Sequence, residues 1–197
     1  MAPAETHLAA ARAALTRRDP SGAVREAEAA LAAGAGGPEP HWLAALGLAA
    51  SGRPGMALVA AGRGEGHAPD DPRAAVICAA VAALSGRADA AEAFAAAALD
   101  RDPSCGAAHA VRAGLCLIAE DWEGADAAAV AGLAADPGHP ACEHVAALVG
   151  DPIDRADANA CGLAVWEALI PAARDLARVP APPSVAAEGW DGWFTAA

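Results

Sequence analysis

Residues of the types that bind transition metals concentrate in one stretch of the chain. They are Cys105, His109, His139, Cys142 and His144. Thiolate and imidazole are ligands that zinc prefers, but the spacing is unfavourable. Cys105 precedes His139 by a whole repeat, and His139-x-x-Cys142 begins a predicted helix on which only two ligands converge. We therefore predict no metal ion and no other cofactor.

Residues for nucleophilic catalysis or phosphate binding lack the sequence context that such chemistry requires. The serines lie in predicted turns or helix starts, and none lies in the G-x-S-x-G pattern of a nucleophile elbow. The glycines of the run Gly62-x-Gly64-x-Gly66 do not follow a predicted strand, so they do not indicate a phosphate-binding loop. The chain is predicted not to be an enzyme.

The overall charge excludes two classes of partner. The chain of 197 residues has a formal net charge of −12, and all 13 of its basic residues are arginine. Nucleic acids and anionic membrane surfaces both require clustered cations, so neither is an expected partner. No apolar run reaches the roughly 20 residues of a membrane span, so membrane insertion is not expected. The five cysteines favour reduced thiols and a cytoplasmic location.

The elements that position these residues follow a repeat of 34 residues. Alanine recurs at one position as Ala11, Ala45, Ala79 and Ala113, at a second as Ala23, Ala57, Ala91 and Ala125, and at a third as Ala27, Ala61, Ala95 and Ala129. A period of this length indicates stacked units that bury their apolar faces against one another. We predict an array over 1–150, with units at 4–37, 38–71, 72–105 and 106–139 and a partial fifth unit at 140–150.

Each unit is predicted to contain two short amphipathic helices joined by a turn. In the second unit, Pro54 is expected in the first turn of the second helix, where its missing N–H group costs nothing. Glycine disfavours a helix by about 1 kcal/mol relative to alanine. Because Gly62, Gly64 and Gly66 follow one another closely, this helix is expected to end near 61–63.

The repeat loses its register after Gly150. Residues 151–179 are predicted to form capping helices, the longer one over 154–170, because a solenoid leaves its last apolar face uncovered. Residues 180–197 begin with a proline-rich spacer, which favours an extended chain, and end with an aromatic tail. The tail residues are Trp190, Trp193 and Phe194.

A 34-residue helix–turn–helix unit with small residues where the helices cross resembles the tetratricopeptide repeat. One crossing position is occupied by Ala30, Gly64, Ala98 and Gly132, and a later position by Pro69, Pro103 and Pro137. The resemblance covers about residues 4–139. It implies an all-α fold, an α-solenoid of antiparallel helix pairs in a right-handed superhelix, here followed by a capping helix and an extended tail.

In that family, the first helix of each unit lines a concave groove that binds peptides. The resemblance assigns eight residues to the groove in this chain: Leu8, Arg12, Trp42, Leu46, Arg73, Val76, Leu84 and Leu117. The groove is therefore expected to be apolar and exposed, and an exposed apolar groove usually marks a surface that a partner covers. The alternative is that Trp42, Val76 and Leu84 pack within the solenoid core.

We predict from these features a cytoplasmic, non-catalytic interaction module that binds an apolar segment of another protein. It would serve as an adaptor, an assembly factor or a complex subunit. Two alternatives remain open. The chain could self-assemble by docking its aromatic tail on a neighbouring protomer, or it could be an accessory subunit of an enzyme complex. The tail could also dock in the chain's own groove or pack on the capping helix.

Overall fold

The computed structural model describes residues 3–66 and 72–150, together with Leu169. This part of the chain contains nine α-helices and no strand, which confirms the predicted all-α class. The helices are α1 (Pro3–Thr16), α2 (Pro20–Ala32), α3 (Glu39–Ala50), α4 (Pro54–Glu65), α5 (Pro72–Leu84), α6 (Ala88–Arg101), α7 (Gly106–Ile118), α8 (Trp122–Ala135) and α9 (Pro140–Gly150). None of these nine is long and apolar enough to cross a membrane.

The helices stack into a solenoid of two layers. Each helix packs against the helix before it and the helix after it. The odd-numbered helices also contact one another in order, from α1 to α9, whereas the even-numbered helices contact one another far less. An array whose helices meet in one layer and separate in the other curves toward the first. The odd-numbered helices therefore form the inner, concave layer.

The turn inside each helix pair repeats its backbone geometry along the array. The residue at the centre of the turn has a positive φ in every pair: Arg18 (57°), Gly52 (70°), Gly86 (71°) and Glu120 (58°). The next N–H group donates to the carbonyl five residues earlier, at 2.9 Å in each case; the donors are Asp19, Arg53, Arg87 and Asp121. This is the 6→1 hydrogen bond of a Schellman motif. The period of the alanines is thus also a period of the backbone.

Three of the four second helices begin at a proline or behind an aspartate cap, whereas α6 begins at Ala88 behind Arg87 and has neither. The Asp19 carboxylate accepts a hydrogen bond of 2.8 Å from the Gly22 N–H group, and the Asp121 carboxylate accepts one of 2.9 Å from the Gly124 N–H group. These bonds satisfy donors that have no partner within the helix. Pro54 occupies the first turn of α4, as predicted.

The recurring small residues are the points where helices touch. All twelve recurring alanines are buried, and eleven of them have no exposed surface. Larger side chains at these places would hold the backbones apart and leave voids elsewhere. Most of the largest fully buried side chains lie instead in α3 and α5: Trp42, Leu43, Leu46, Val76, Ile77 and Val81. The two middle units therefore supply most of the bulk of the core.

Helix α4 is longer than the sequence predicted, because it continues to Glu65. Gly64 is buried beneath the indole ring of Trp42, and a Cβ atom added to Gly64 would lie 2.7 Å from Cε2 of that ring. Tertiary packing of this kind outweighs the low helix propensity of glycine. The expectation that α4 ends near 61–63 is therefore wrong.

The predicted capping helices over 151–179 and the spacer and tail over 180–197 lie outside the described residues, with one exception. Leu169 is described, is helical, and has no exposed surface. It belongs to the same buried apolar cluster as the side chains of α3 and α5.

Candidate partner-binding face

We define the concave face as the side of α1, α3, α5 and α7 that is predicted to line the groove. The structure places all eight predicted residues on these inner-layer helices. Leu46 is 1 % exposed, Val76 is completely buried and Leu117 is 5 % exposed. Leu8 and Leu84 are partly buried and pack against the core cluster. The concave face is apolar, as predicted, but most of it is buried.

Helices α3 and α5 are buried on every side. Each residue from 39 to 49 and each residue from 73 to 83 is buried. The expectation of an exposed groove therefore differs from the structure along these two helices. A helix in a two-layer array normally keeps one polar, solvated stripe, and in α3 and α5 that stripe is replaced by alanine and larger apolar residues.

Trp42 packs within the solenoid core. Its indole ring lies against Gly64 of α4, which is the other helix of the same unit. The side chain therefore fills the space between the two layers of the array. Of the two interpretations of Trp42, the structure supports core packing, and Trp42 is removed from the set of residues that can contact a partner directly.

The two arginines of the concave face have different surroundings. Nη2 of Arg12 forms an ion pair with Oε1 of Glu39, which joins α1 to α3. Both side chains are largely buried, at 22 % and 12 % exposure. A buried charge requires a partner of this kind because desolvation of a single ion is costly. Arg73 is 7 % exposed at the start of α5. Sequence reasoning identified both arginines but missed Glu39 as the partner of Arg12.

The metal-type residues do not form a centre. The structure brings Cys142 and His109 to the same place, since a Cβ atom added to Gly132 would lie 2.5 Å from Sγ of Cys142 and 3.0 Å from Cβ of His109. The Cys142 thiol donates a hydrogen bond of 3.8 Å to the Gly106 carbonyl. Among the residues that the structure describes, no three His, Cys, Asp or Glu side chains are grouped so that they could hold a metal ion.

The described thiols are poor nucleophiles. Burial, with a smaller contribution from the nearby Asp136 carboxylate, raises the pKa of Cys142 to about 11. Burial also raises the pKa of Cys105 and of Cys116. For Cys78 the pKa is raised by burial first and then by Glu65, to which the thiol is hydrogen-bonded. Since the thiolate is the reactive form, these side chains act at neutral pH as small apolar packing groups.

The predicted tail anchors Trp190, Trp193 and Phe194 lie outside the described residues. No protein-family model matches the chain, and no curated protein is similar to it. The resemblance to the tetratricopeptide repeat therefore remains a prediction, supported by the period and by the crossing residues.

Proposed function

We propose that this protein is a non-catalytic interaction module that binds an apolar peptide segment of a partner protein on its concave face. The observation that carries the proposal is the composition of the inner layer, which contains alanine, leucine and valine side chains along three successive helices, α3, α5 and α7.

The scaffold supports this function because it is regular. Each turn is fixed by the same Schellman hydrogen bond at the same place in the repeat. A solenoid of this kind forms its concave side from successive repeats as one extended surface. An apolar helix or extended segment of a partner could therefore bury its side chains between successive inner helices.

The pairing of Arg12 on the concave face disfavours recognition of a negatively charged peptide group. Arg12 is paired with Glu39 in the structure, so it is not free to bind a peptide carboxylate. Recognition would accordingly depend on apolar side chains, as in other helix-in-groove complexes, where a few large side chains supply most of the affinity.

The proposal can be tested by selecting binders from a phage-displayed library of random peptides of about 12 residues. The full-length chain is the bait, and the affinity of selected peptides is measured by fluorescence anisotropy. We expect the selected sequences to be rich in aromatic and aliphatic residues. A selection without enrichment, or one that enriches acidic or basic motifs instead, would contradict the proposal.

Two variants locate the binding surface. Leu84→Asp places a charge at a partly buried position of the concave face, and Val59→Asp places the same charge on α4, where Val59 is 58 % exposed. Loss of one apolar anchor is expected to weaken binding about tenfold or more, so Leu84→Asp should weaken binding whereas Val59→Asp should not. Equal affinities of the two variants would show that the peptides bind elsewhere.

A further inference from the structure

Three large apolar side chains are exposed in the outer layer of the part of the solenoid that the structure describes. Met56 and Val59 of α4 are 51 % and 58 % exposed, and Val130 of α8 is 55 % exposed. The exposed residues of α2 and α6 are instead charged residues, serine and alanine. Because single apolar residues are normal on protein surfaces, the charges around these three side chains decide whether they belong to a contact surface.

The exposed side of α4 is apolar and positively charged. Met56, Val59 and Arg63 follow one another at helical spacing, so they lie on one side of the helix. Arg53 precedes the helix, and its Nη2 donates a hydrogen bond of 2.9 Å to Sδ of Met56. Glu65, the only carboxylate of α4, accepts a hydrogen bond from a thiol on α5. We call Arg53, Met56, Val59 and Arg63 the basic patch.

The exposed side of α8 is apolar and negatively charged. Glu123, Asp126 and Val130 have the same helical spacing, and all three are exposed. Helix α8 contains no basic residue. Neither carboxylate forms an ion pair with a residue that the structure describes, and the same is true of Arg53 and Arg63. We call Glu123, Asp126 and Val130 the acidic patch. The two patches have similar spacing and opposite charge.

The two patches of one chain do not meet. Both α4 and α8 belong to the outer layer, and α5, α6 and α7 lie between them along the array. Two copies of the same patch do not suit each other, because two basic patches bring arginines together and two acidic patches bring carboxylates together. Like charges in contact cost affinity. Within the described residues, the complement of the basic patch is therefore the acidic patch of a second copy.

The order of the residues suits an antiparallel contact between the two helices. In α4, Arg63 lies four residues after Val59, and in α8, Asp126 lies four residues before Val130. Four residues of a helix correspond to about 6 Å along its axis. When the helices lie antiparallel with Val59 against Val130, the Arg63 guanidinium therefore lies beside the Asp126 carboxylate, and a charge-assisted hydrogen bond forms.

We propose that the protein self-associates through its outer layer, with the basic patch of one copy bound to the acidic patch of a second copy. Each joined copy keeps one patch unoccupied, so the contact is heterologous and propagates from copy to copy. The contact involves few residues, and interfaces of small area are weak and transient. It does not use the concave face and does not depend on the proposed function. Joined copies carry several concave faces, which bind a partner with repeated segments more tightly than one copy does.

Self-association is measured by sedimentation velocity of the full-length chain from about 10 µM to about 1 mM. We expect the weight-average sedimentation coefficient to rise with concentration. Val59→Asp and Val130→Arg change exposed side chains, so both variants should fold, which far-UV circular dichroism checks. Each places like charges in the contact and should raise the dissociation constant about tenfold or more. A chain that stays monomeric at about 1 mM would overturn the proposal.

A mixture of the two variants decides whether two different patches meet. Val59→Asp retains an intact acidic patch, and Val130→Arg retains an intact basic patch. The equimolar mixture should form a 1:1 complex with the dissociation constant of the unchanged chain, and no larger species. If either variant alone associates as tightly as the unchanged chain, a patch binds its own copy or the contact lies elsewhere, and the proposal is wrong. A mixture without a complex has the same consequence.

An exchange of charges tests the pair formed by Arg63 and Asp126. Arg63→Asp and Asp126→Arg should each raise the dissociation constant about tenfold. Both changes in one chain should restore the affinity to within about threefold, because the pair is rebuilt with its charges exchanged. Glu28→Arg is the matched control, since it makes the same change of charge on the exposed side of α2, and it should leave self-association unchanged. A double variant as weak as the single ones, or a control as weak as Asp126→Arg, refutes the assignment of the contact to these patches.

Discussion

The contact between Gly64 and Trp42 leads to a prediction about stability that runs against the usual effect of the substitution. Replacing a glycine inside a helix by alanine normally stabilises the helix by about 1 kcal/mol, because alanine loses less backbone entropy. We predict that Gly64→Ala has the opposite sign. The added methyl group would lie 2.7 Å from Cε2 of Trp42 and closer still to Nε1 and Cδ1.

The magnitude follows from how well the indole ring is held. Trp42 has no exposed surface and is the largest fully buried side chain described, so it cannot move into solvent to make room. Forcing extra atoms into a packed core costs about 1–3 kcal/mol. After subtraction of the propensity gain, Gly64→Ala should lower the free energy of unfolding by up to about 2 kcal/mol.

Gly62 provides a matched control in the same helix. It is exposed in α4, and a Cβ atom added there meets nothing within 4 Å. Gly62→Ala should therefore stabilise the protein by about 0.5–1 kcal/mol. The two chemically identical substitutions, two residues apart, should differ by the overpacking cost of about 1–3 kcal/mol, which corresponds to roughly 2–12 °C in Tm for a chain of this size.

The measurement is urea unfolding of the full-length chain, followed by far-UV circular dichroism so that the signal does not depend on Trp42. A double-mutant cycle identifies the cause. In a Trp42→Ala background, Gly64→Ala should become neutral or stabilising, and the coupling between the two sites should be about 1–3 kcal/mol. If Gly64→Ala stabilises the unchanged protein as much as Gly62→Ala does, the close packing inferred between α3 and α4 is refuted.

Three further predictions concern the turns and the ends of the array. Glu120 has a φ of 58°, a conformation that favours glycine. Glu120→Gly should therefore raise the free energy of unfolding by up to about 1 kcal/mol, whereas Gly86→Ala, at a φ of 71°, should lower it by about 1 kcal/mol. Thermal denaturation checks both signs. Asp121→Ala removes the cap of α8 and should cost about 1 kcal/mol in the same assay. The hydrogen bond with His7 lowers the pKa of Glu26. The stability that the Glu26 carboxylate contributes is therefore fully present above the ordinary pKa of this group, 4.5, and is lost as the pH falls through its pKa in the folded state. His7→Ala should raise the pKa of Glu26 toward 4.5 in an NMR titration, and an unchanged pKa would contradict the assignment.

The helix pairs could be predicted from the sequence because two features of the repeat indicate them. The recurring alanines show where helices touch, and residues such as Pro54 and Pro72 mark helix starts. The end of α4 could not be predicted, because the stabilising contact of Gly64 comes from Trp42, on the other helix of the unit. Local propensity contains no information about such a contact.

The composition of the concave face could also be predicted, but its burial could not. The period assigns Leu46 and Val76 to the inner layer whatever lies beyond them. Whether each residue of that layer is exposed depends on tertiary contacts, which the period of the sequence does not encode. Trp42 also shows that the position of a residue in the repeat does not determine its contacts. Its place in the repeat suggested a groove residue, but the absence of a side chain at Gly64 lets the indole ring pack between the layers.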